Sequence, residues 1–398
     1  MRRVIVLTTL GVLALISAGV ADEPKLAKAK LILADDGPDE LAKFTHSARL
    51  SPDGRYLLYV RVKQVAWPAD GGGPARQQRS YRLILRDLKS GKDKPLPIPA
   101  YLEDFVLMPV VSGNVFDLGG RKIALGVAVD ANGDGLHDYR TEKMQAVVYD
   151  IASDKLAKQP VIRMAVVPTF DRTGNGLIIT AMGHDAENSQ LLTTPLGKPK
   201  LRQLGKWGLP RGVCPTAQVL AMLTPPNGVF PPSRYKFVLY DLKADKQITE
   251  MPTHEKCNML SQYCPQWTAD GRYLYYADVK LEMIDGRQER KYFTRIWDRT
   301  KGREAGIVGD VLPIGPGPGK STMVVGKDRG RGQMSLHDAA TGDLHSLGKE
   351  TMTAIAAEGK YLLYADKPAD GKSGMYMAEI VPARKDKPAA KKEPEAVK

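Results

Sequence analysis

The sequence predicts an all-β fold, a β-propeller most consistent with seven four-stranded blades, with six blades as the alternative. Three observations predict it. A turn-and-strand motif recurs along the chain, a strand ending in aspartate follows each turn at a distance, and successive turns are 40 to 66 residues apart, about 51 on average. Four short strands fit that period, and one blade buries enough surface only when others pack against it in a ring.

The recurring motif combines a tight turn with an alternating apolar strand. The clear copies are RLSPDGRYLLYVR, QWTADGRYLYYAD and IAAEGKYLLYADK, which begin at Arg49, Gln266 and Ile355. Weaker copies begin at Val115, Thr169 and Ile314. Aspartate caps such a turn and glycine supplies its positive φ. The turn glycines are Gly54, Gly120, Gly174, Gly271, Gly319 and Gly359, and Thr216 stands near the equivalent place in the fourth unit.

A second recurring element is a strand that ends in aspartate before a short turn. The five aspartates are Asp87, Asp150, Asp241, Asp298 and Asp338. Because they recur once per repeat, we interpret them as turn caps and not as catalytic carboxylates.

The blades follow one another in chain order. The seven units start near residues 44, 102, 161, 208, 253, 309 and 349, and the last supplies about three strands. The segment AKLILADD, which begins at Ala29, is an isolated strand-like stretch. We therefore predict that this N-terminal strand completes the last blade and closes the ring, which hides two strand edges.

These units resemble the WD-like propeller repeat of the TolB type, which is found in exported bacterial proteins. The resemblance rests on the pattern (S/T)-x-DG-(R/K)-Y-L-x-Y followed by a strand ending in aspartate, and it covers most of residues 22–382, the predicted propeller domain. It implies a scaffold and supplies no catalytic residues. Only about 20 residues lie between the leader and the first blade, too few for the separate N-terminal domain of TolB, so no role in envelope integrity is expected.

The two ends of the chain differ from the repeats. Arg2, Arg3, an apolar run over residues 4–20 and the small-residue exit at Ala21 predict a cleavable signal peptide, residues 1–21. An uncleaved anchor is the alternative, although the run is short for a bilayer span of about 20 residues. We expect a secreted or periplasmic protein that does not span a membrane. Residues 383–398, rich in lysine, proline and alanine, predict a disordered tail.

The charge balance is moderately basic. The formal net charge is +13, and subtracting the leader and the tail leaves about +8 for the folded body. This excess suits an anionic surface or glycan, and simple solubility explains it equally well. Export and the lack of a basic helix or zinc pattern argue against a nucleic-acid partner.

The chain contains three cysteines, Cys214, Cys257 and Cys264, which limits the disulfides that can form. Export permits a disulfide, and an odd number leaves at least one thiol unpaired or paired elsewhere. We predict a Cys257–Cys264 disulfide with Cys214 reduced and partly buried. A bridge from Cys214 to either of the others is the alternative.

The stretch DANGDGLHDY, residues 130–139, predicts a calcium site. Oxygen ligands occur at its first, third, fifth and ninth positions, with a backbone carbonyl available at the seventh and glycine at the sixth. The predicted ligands are Asp130, Asn132, Asp134, Leu136 and Asp138. The pattern resembles the nine-residue calcium loops of integrin-type propellers. Thr141 replaces the glutamate that an EF-hand requires, and a solvated hairpin turn is the alternative.

No catalytic or cofactor-binding residues are predicted elsewhere. GPGPGKST, from Gly315, has Ile314 where a phosphate loop needs its first glycine, and its two prolines lack amide donors. The six histidines lie far from any GxSxG motif and are not paired at metal-ligand spacing. We interpret the first stretch as a blade turn.

Variable loops between the second and third strands of each blade predict the working face. They cover residues 62–80, 129–140, 224–235 and 279–291. Their aromatic and arginine residues suit peptides or anionic sugars, and mutual packing explains them equally well. The residues are Trp67, Arg76, Arg79, Tyr81, Phe230, Arg234, Tyr235, Arg287, Arg290 and Tyr292.

The sequence therefore favours an exported, non-enzymatic propeller that binds a protein or an anionic glycan through a loop face stiffened by calcium. The alternative is an exported propeller hydrolase or lyase that uses the central channel. The oligomeric state is not predicted.

Overall fold

The computed structural model describes most of the repeats. The described residues are 23–34, 48–67, 76–98, 101–102, 115–129, 143–162, 165–182, 190–196, 200–205, 208–224, 236–253, 265–327, 333–348, 352–366 and 371–382. The predicted signal peptide and tail lie outside these ranges. Every regular element in the described ranges is a strand, and none of their residues form a helix long and apolar enough to cross a membrane.

The strands form seven small antiparallel sheets, one per blade. The N-terminal segment contains β1 Lys25–Leu26 and β2 Lys30–Ala34. Blade one contains β3 Arg49–Leu50, β4 Tyr56–Trp67, β5 Arg76–Asp87 and β6 Lys92–Pro95, and β7 Tyr101–Leu102 also pairs with β5. Blade two contains β8 Lys122–Val129, β9 Lys143–Asp150 and β10 Lys155–Ile162. An isolated bridge between Phe116 and Ile123 stands in place of its innermost strand.

The remaining blades follow the same order. Blade three contains β11 Ala165–Phe170, β12 Gly176–Met182, β13 Gln190–Pro195 and β14 Arg202–Gln203. Blade four contains β15 Leu209–Val213, β16 Val219–Thr224, β17 Lys236–Asp241 and β18 Lys246–Glu250. Blade five contains β19 Gln266–Trp267, β20 Tyr273–Ile284, β21 Arg287–Asp298 and β22 Arg303–Gly309. Blade six contains β23 Leu312–Pro316, β24 Thr322–Gly326, β25 Met334–Asp338 and β26 Leu344–Ser346. Blade seven contains β27 Thr353–Glu358, β28 Tyr361–Asp366 and β29 Gly374–Val381.

Seven separate hydrophobic clusters lie between the blades, one at each interface around the ring. The cluster that contains Leu50 and Leu363 joins blade one to blade seven, so the ring is closed. The first strands of neighbouring blades also touch, as β19 touches β23 and β27 touches β3. The fold is therefore a seven-bladed propeller whose first strands surround the central channel, and the prediction of seven blades is confirmed.

The burial of the middle strands follows from this packing. All six residues of β16, VLAMLT, are buried, because both faces of the blade pack against neighbouring blades. The outermost strand β22, by contrast, alternates between exposed and half-buried residues. Each blade thus changes from apolar to polar with increasing distance from the channel.

The N-terminal segment supplies the outermost strand of blade seven, as predicted. Strand β29 pairs with β28 along one edge and with both β1 and β2 along the other. Ile32 and Leu33 are buried in the cluster between blades seven and one. The strand is Lys30–Ala34, shorter than the predicted segment, and Asp35 and Asp36 lie outside the described residues.

The recurring aspartates cap the turns that follow them. Asp87 accepts hydrogen bonds from the backbone N–H groups of Lys89 (2.8 Å) and Ser90 (3.1 Å). Equivalent bonds reach the carboxylates of Asp150, Asp241, Asp298 and Asp338. Their periodicity therefore has a structural cause, and the interpretation as caps holds.

Asp298 has the strongest cap. Its burial would raise the pKa of the carboxyl, but hydrogen bonds from Arg272, Thr300 and Lys301 outweigh burial and lower the pKa to about 2. Arg272 Nη2 lies 2.9 Å from Asp298 Oδ2. This charge pair joins the inner turn of blade five to its outer turn.

We predict that a mature chain beginning at residue 35 unfolds more easily than the full mature chain. Loss of β1 and β2 exposes the edge of β29 and the apolar surface under Ile32 and Leu33. The free energy of unfolding should fall by about 3 kcal/mol or more. Denaturant unfolding measures this difference. Deletion of residues 383–398 is the control and should not shift the midpoint. An unchanged midpoint after removal of the N-terminal strand would contradict closure by this segment.

Candidate functional site

Two long hairpins distinguish one face of the propeller. Strands β4, β5, β20 and β21 each contain 12 residues. In blade five, β19 pairs only with Tyr275 and Leu274, and β22 pairs only with residues 293–298. Residues 279–284 and 287–292 pair with each other. This part of the hairpin thus extends beyond its own blade.

The hairpin of blade five ends in a two-residue turn with an apolar tip. Asp285 and Gly286 have φ of 49° and 75°, the left-handed values that a tight hairpin turn favours. Next to the turn, Met283 is 69% exposed and Ile284 is 42% exposed. The loop predicted at 279–291 is therefore a regular hairpin, and much of the one predicted at 62–80 also consists of strand residues. These two loop assignments were wrong.

A buried ion network holds the base of this hairpin. Arg295 Nε lies 2.7 Å from Asp278 Oδ2, and Arg295 Nη1 lies 2.7 Å from Glu304 Oε2. The three residues belong to β21, β20 and β22, and the Asp278 side chain is fully buried. Because a buried charge must be paired to be tolerated, the network fixes the strands at the point where the hairpin leaves the blade.

The predicted aromatic and arginine residues divide into three groups. Tyr81 is buried in the core between blades one and two, and Tyr292 packs partly against the core between blades four and five. Arg287 is exposed beside the hairpin turn. Tyr81 thus serves packing. The side chains of Trp67, Arg76, Arg79 and Arg290 and the whole of Phe230, Arg234 and Tyr235 lie outside the described set.

The predicted calcium ligands, Asp130, Asn132, Asp134, Leu136 and Asp138, lie outside the described residues. Their flanking strands are described: β8 and β9 pair without interruption up to Val129 and Lys143. Residues 130–142 therefore connect the second and third strands of blade two, as the long hairpins do in blades one and five. Within the described ranges, no group of three or more His, Cys, Asp or Glu side chains is arranged to hold a metal ion. The calcium site stays a prediction.

Of the three cysteines, only Cys214 is described, and it is a free, fully buried thiol. Its Sγ lies 3.4 Å from the carbonyl oxygen of Gly271, to which it donates a hydrogen bond. We expected it to be partly buried. Cys257 and Cys264 lie outside the described residues, between β18 and β19, and their disulfide stays a prediction.

Sequence reasoning missed Arg211. This residue lies on β15, the innermost strand of blade four, where the register with β16 shifts between Pro210 and Gly212. It is only 9% exposed, and its Nε has no hydrogen-bond partner. A signal was present in the sequence, since the strand LPRGV places a charge inside an apolar run next to proline and glycine.

The chain was compared with known proteins. No protein-family model matches it, and no curated protein matches its sequence. Solved structures do resemble it. Hydrazine synthase of Kuenenia stuttgartiensis has 13% identity and a TM-score of 0.49, covering 87% of this chain and 97% of that chain.

Two further solved structures resemble this chain over a similar share of its length. The β-propeller domain of the Trilobed protease from Pyrococcus furiosus has 11% identity and a TM-score of 0.47, over 90% of this chain and 94% of that chain. Oligogalacturonate lyase from Vibrio parahaemolyticus has 11% identity and a TM-score of 0.35, over 90% and 98%. At these identities no activity is inferred from any of them, and the blade count rests on the strand pairing.

Proposed function

We propose that this protein is an exported, non-enzymatic propeller that binds a protein partner through the face carrying the long hairpins, and that calcium stiffens a neighbouring loop on that face. The observation that carries the proposal is the apolar tip of the blade-five hairpin, Met283 and Ile284. Two adjacent exposed apolar side chains at the tip of a projecting hairpin suit a contact with a partner.

The surroundings of the tip favour a protein over an anionic glycan. Met283 is flanked by charges of both signs, including Glu282, Asp285 and Arg287. An apolar centre with a mixed polar rim is typical of protein interfaces. The anionic glycan is the second candidate, and the formal charge excess of the chain supports it.

Inner-turn carboxylates in blades two and five are engaged within their own turns, which supports binding over catalysis at those two positions. Asp117 accepts hydrogen bonds from the backbone of Arg121 (2.6 Å) and Lys122 (2.8 Å). Asp270 accepts one from the backbone of Arg272 at 2.9 Å and another from the Thr268 hydroxyl at 2.6 Å. A hydrolase or lyase acting in the channel would need such groups free for proton transfer.

We predict that replacing the tip residues weakens partner capture. The double variant Met283→Ser/Ile284→Ser should lower the affinity at least ~10-fold, because burying two such side chains contributes roughly 2 kcal/mol or more. The measurement is quantitative capture from an extract of the producing cells, followed by titration with the captured protein. Ile248→Ser is the control, since Ile248 is 49% exposed on the outermost strand of blade four.

Capture that is saturable, lost in the tip variant and kept in the control supports the proposal. Equal capture by all three proteins would place the partner elsewhere and contradict it. Turnover of a polysaccharide or peptide by the pure protein, without capture, would favour the hydrolase or lyase.

We predict a second effect, a rise in melting temperature with calcium. Asp130, Asp134 and Asp138 repel one another without a cation, and binding stabilises the folded state by roughly 2.7 kcal/mol at a hundredfold excess over Kd. A Kd of order 10⁻⁴ to 10⁻³ M is expected for an extracellular module. Calorimetry with chelator, calcium or magnesium measures the response, and magnesium should substitute poorly.

Asp134→Ala should abolish the calcium response, and Asp343→Ala, in an exposed turn of blade six, should keep it. If the wild type does not respond up to about 10 mM calcium, ten times the weak limit, the loop is only a hairpin turn.

A further inference from the structure

Blade four contains a buried charge that the described structure leaves unpaired. Arg211 is 9% exposed, and its Nε is sealed from solvent without a hydrogen-bond acceptor. No carboxylate among the described residues forms an ion pair with it; the buried Arg295 of blade five, by contrast, contacts two. Arginine cannot lose its proton to relieve this condition. Burial of part of a guanidinium without an acceptor costs free energy, and an anion paired with it would offset that cost.

The only other unpartnered buried side-chain atom in the described ranges belongs to the same blade. It is Oγ1 of Thr224, at the end of β16, the strand that pairs with β15. Gly208, three residues before Arg211, lies beside this threonine, since a Cβ built on Gly208 would be 3.1 Å from Thr224 Cγ2. Native proteins satisfy nearly all buried polar atoms, so these two atoms on adjacent strands call for a polar partner that the described residues do not supply.

Both neighbouring blades hold the backbone beside Arg211 in place. From blade three, Thr180 Oγ1 donates to the carbonyl oxygen of Gly208 at 3.2 Å. From blade five, Trp267 Nε1 donates to the carbonyl oxygen of Gly212 at 3.2 Å. The strand that carries Arg211 is thus fixed on both sides of the arginine, and such preorganisation favours binding of a small ligand.

We propose that the inner end of blade four binds a small oxyanion, a carboxylate or a phosphate, with Arg211 as the charged donor and the Thr224 hydroxyl as a second donor. The planar guanidinium matches the paired oxygens of both anions. Its position on an innermost strand places Arg211 at the channel wall, and Thr224 lies where β16 ends. The proposed donors do not include the tip residues of the blade-five hairpin.

The experiment compares anions at constant ionic strength. Isothermal titration and melting curves are recorded with sodium phosphate and sodium acetate, with sodium chloride as the reference. We expect at least one oxyanion to raise the melting temperature of the wild type above the chloride reference. Phosphate alone indicates a phosphoryl ligand, and acetate alone indicates a carboxylate.

Two variants test the residues. Arg211→Met should weaken oxyanion binding at least ~30-fold, because a buried charge-assisted contact is lost. It should leave the chloride-form protein equally stable or more stable, since the unpaired charge is gone. Thr224→Val should weaken binding at least ~10-fold, the effect of one hydrogen bond to a charged acceptor. Arg121→Met, at an exposed arginine of the blade-two turn, should bind as the wild type does.

An Arg211→Met protein that responds to oxyanions as the wild type does would overturn the proposal, as would a wild type that binds phosphate and acetate no better than chloride. If Arg211→Met does not fold, Arg211→Lys provides the test. Lysine keeps the positive charge but lacks the paired N–H donors of the planar guanidinium, and at least ~10-fold weaker binding is expected. Wild-type affinity in that variant would contradict the paired guanidinium contact on which the proposal rests. The variant Met283→Ser/Ile284→Ser should bind the anion normally, which separates this site from the partner-binding face.

Discussion

The ring depends on the close approach of successive inner turns, and glycine makes that approach feasible. A Cβ built on Gly271 would lie 2.7 Å from the buried Sγ of Cys214 and closer still to Thr216, both in blade four. Likewise, a Cβ on Gly54 would overlap the ring of Tyr361 in blade seven. The inner turns at Gly54, Gly120, Gly174 and Gly271 therefore pack directly on the turn or first strands of the preceding blade. Any residue with a Cβ at these turn positions would hold the neighbouring blades apart and open the hydrophobic clusters between them.

This packing determines where polar residues and ligand-accessible surfaces can lie in the molecule. Because both faces of each blade are occupied by neighbouring blades, the middle strands are apolar and have no surface left for ligands. Polar chemistry is confined to the two rims and the channel. On the rim with the short turns, carboxylates such as Asp87 and Asp298 are engaged in capping. The opposite rim carries the long hairpins, and the channel wall carries Arg211.

Much of the fold could be predicted from the sequence because most repeats contain recognisable turn residues. A glycine marks the inner turn in six repeats, and a terminal aspartate marks the outer turn in five, so the blade count and the closing strand could be predicted. The hairpin over residues 279–292 was missed although it contains the Asp-Gly turn signal. Residues 279–283, VKLEM, also alternate between apolar and polar side chains, so both strand and turn signals were present and the stretch was misread as a variable loop. Arg211 was missed for another reason, because its burial arises only when blades three, four and five assemble around it.

Gly319 also differs from the other turn glycines, since its φ is not positive, and it lies in the proline-rich turn GPGPG.

The role of the inner turns can be isolated with one pair of substitutions. Gly271 and Gly302 have nearly the same φ, +63° and +62°, but a Cβ on Gly302 would meet nothing within 4 Å. Alanine at either position costs about 1–2 kcal/mol for the left-handed backbone, and only Gly271→Ala must also displace the neighbouring blade, at about 1–3 kcal/mol more. Denaturant unfolding of the two variants measures the difference. The account predicts that Gly271→Ala is the less stable protein by about 1 kcal/mol or more, and equal losses in the two variants would contradict it.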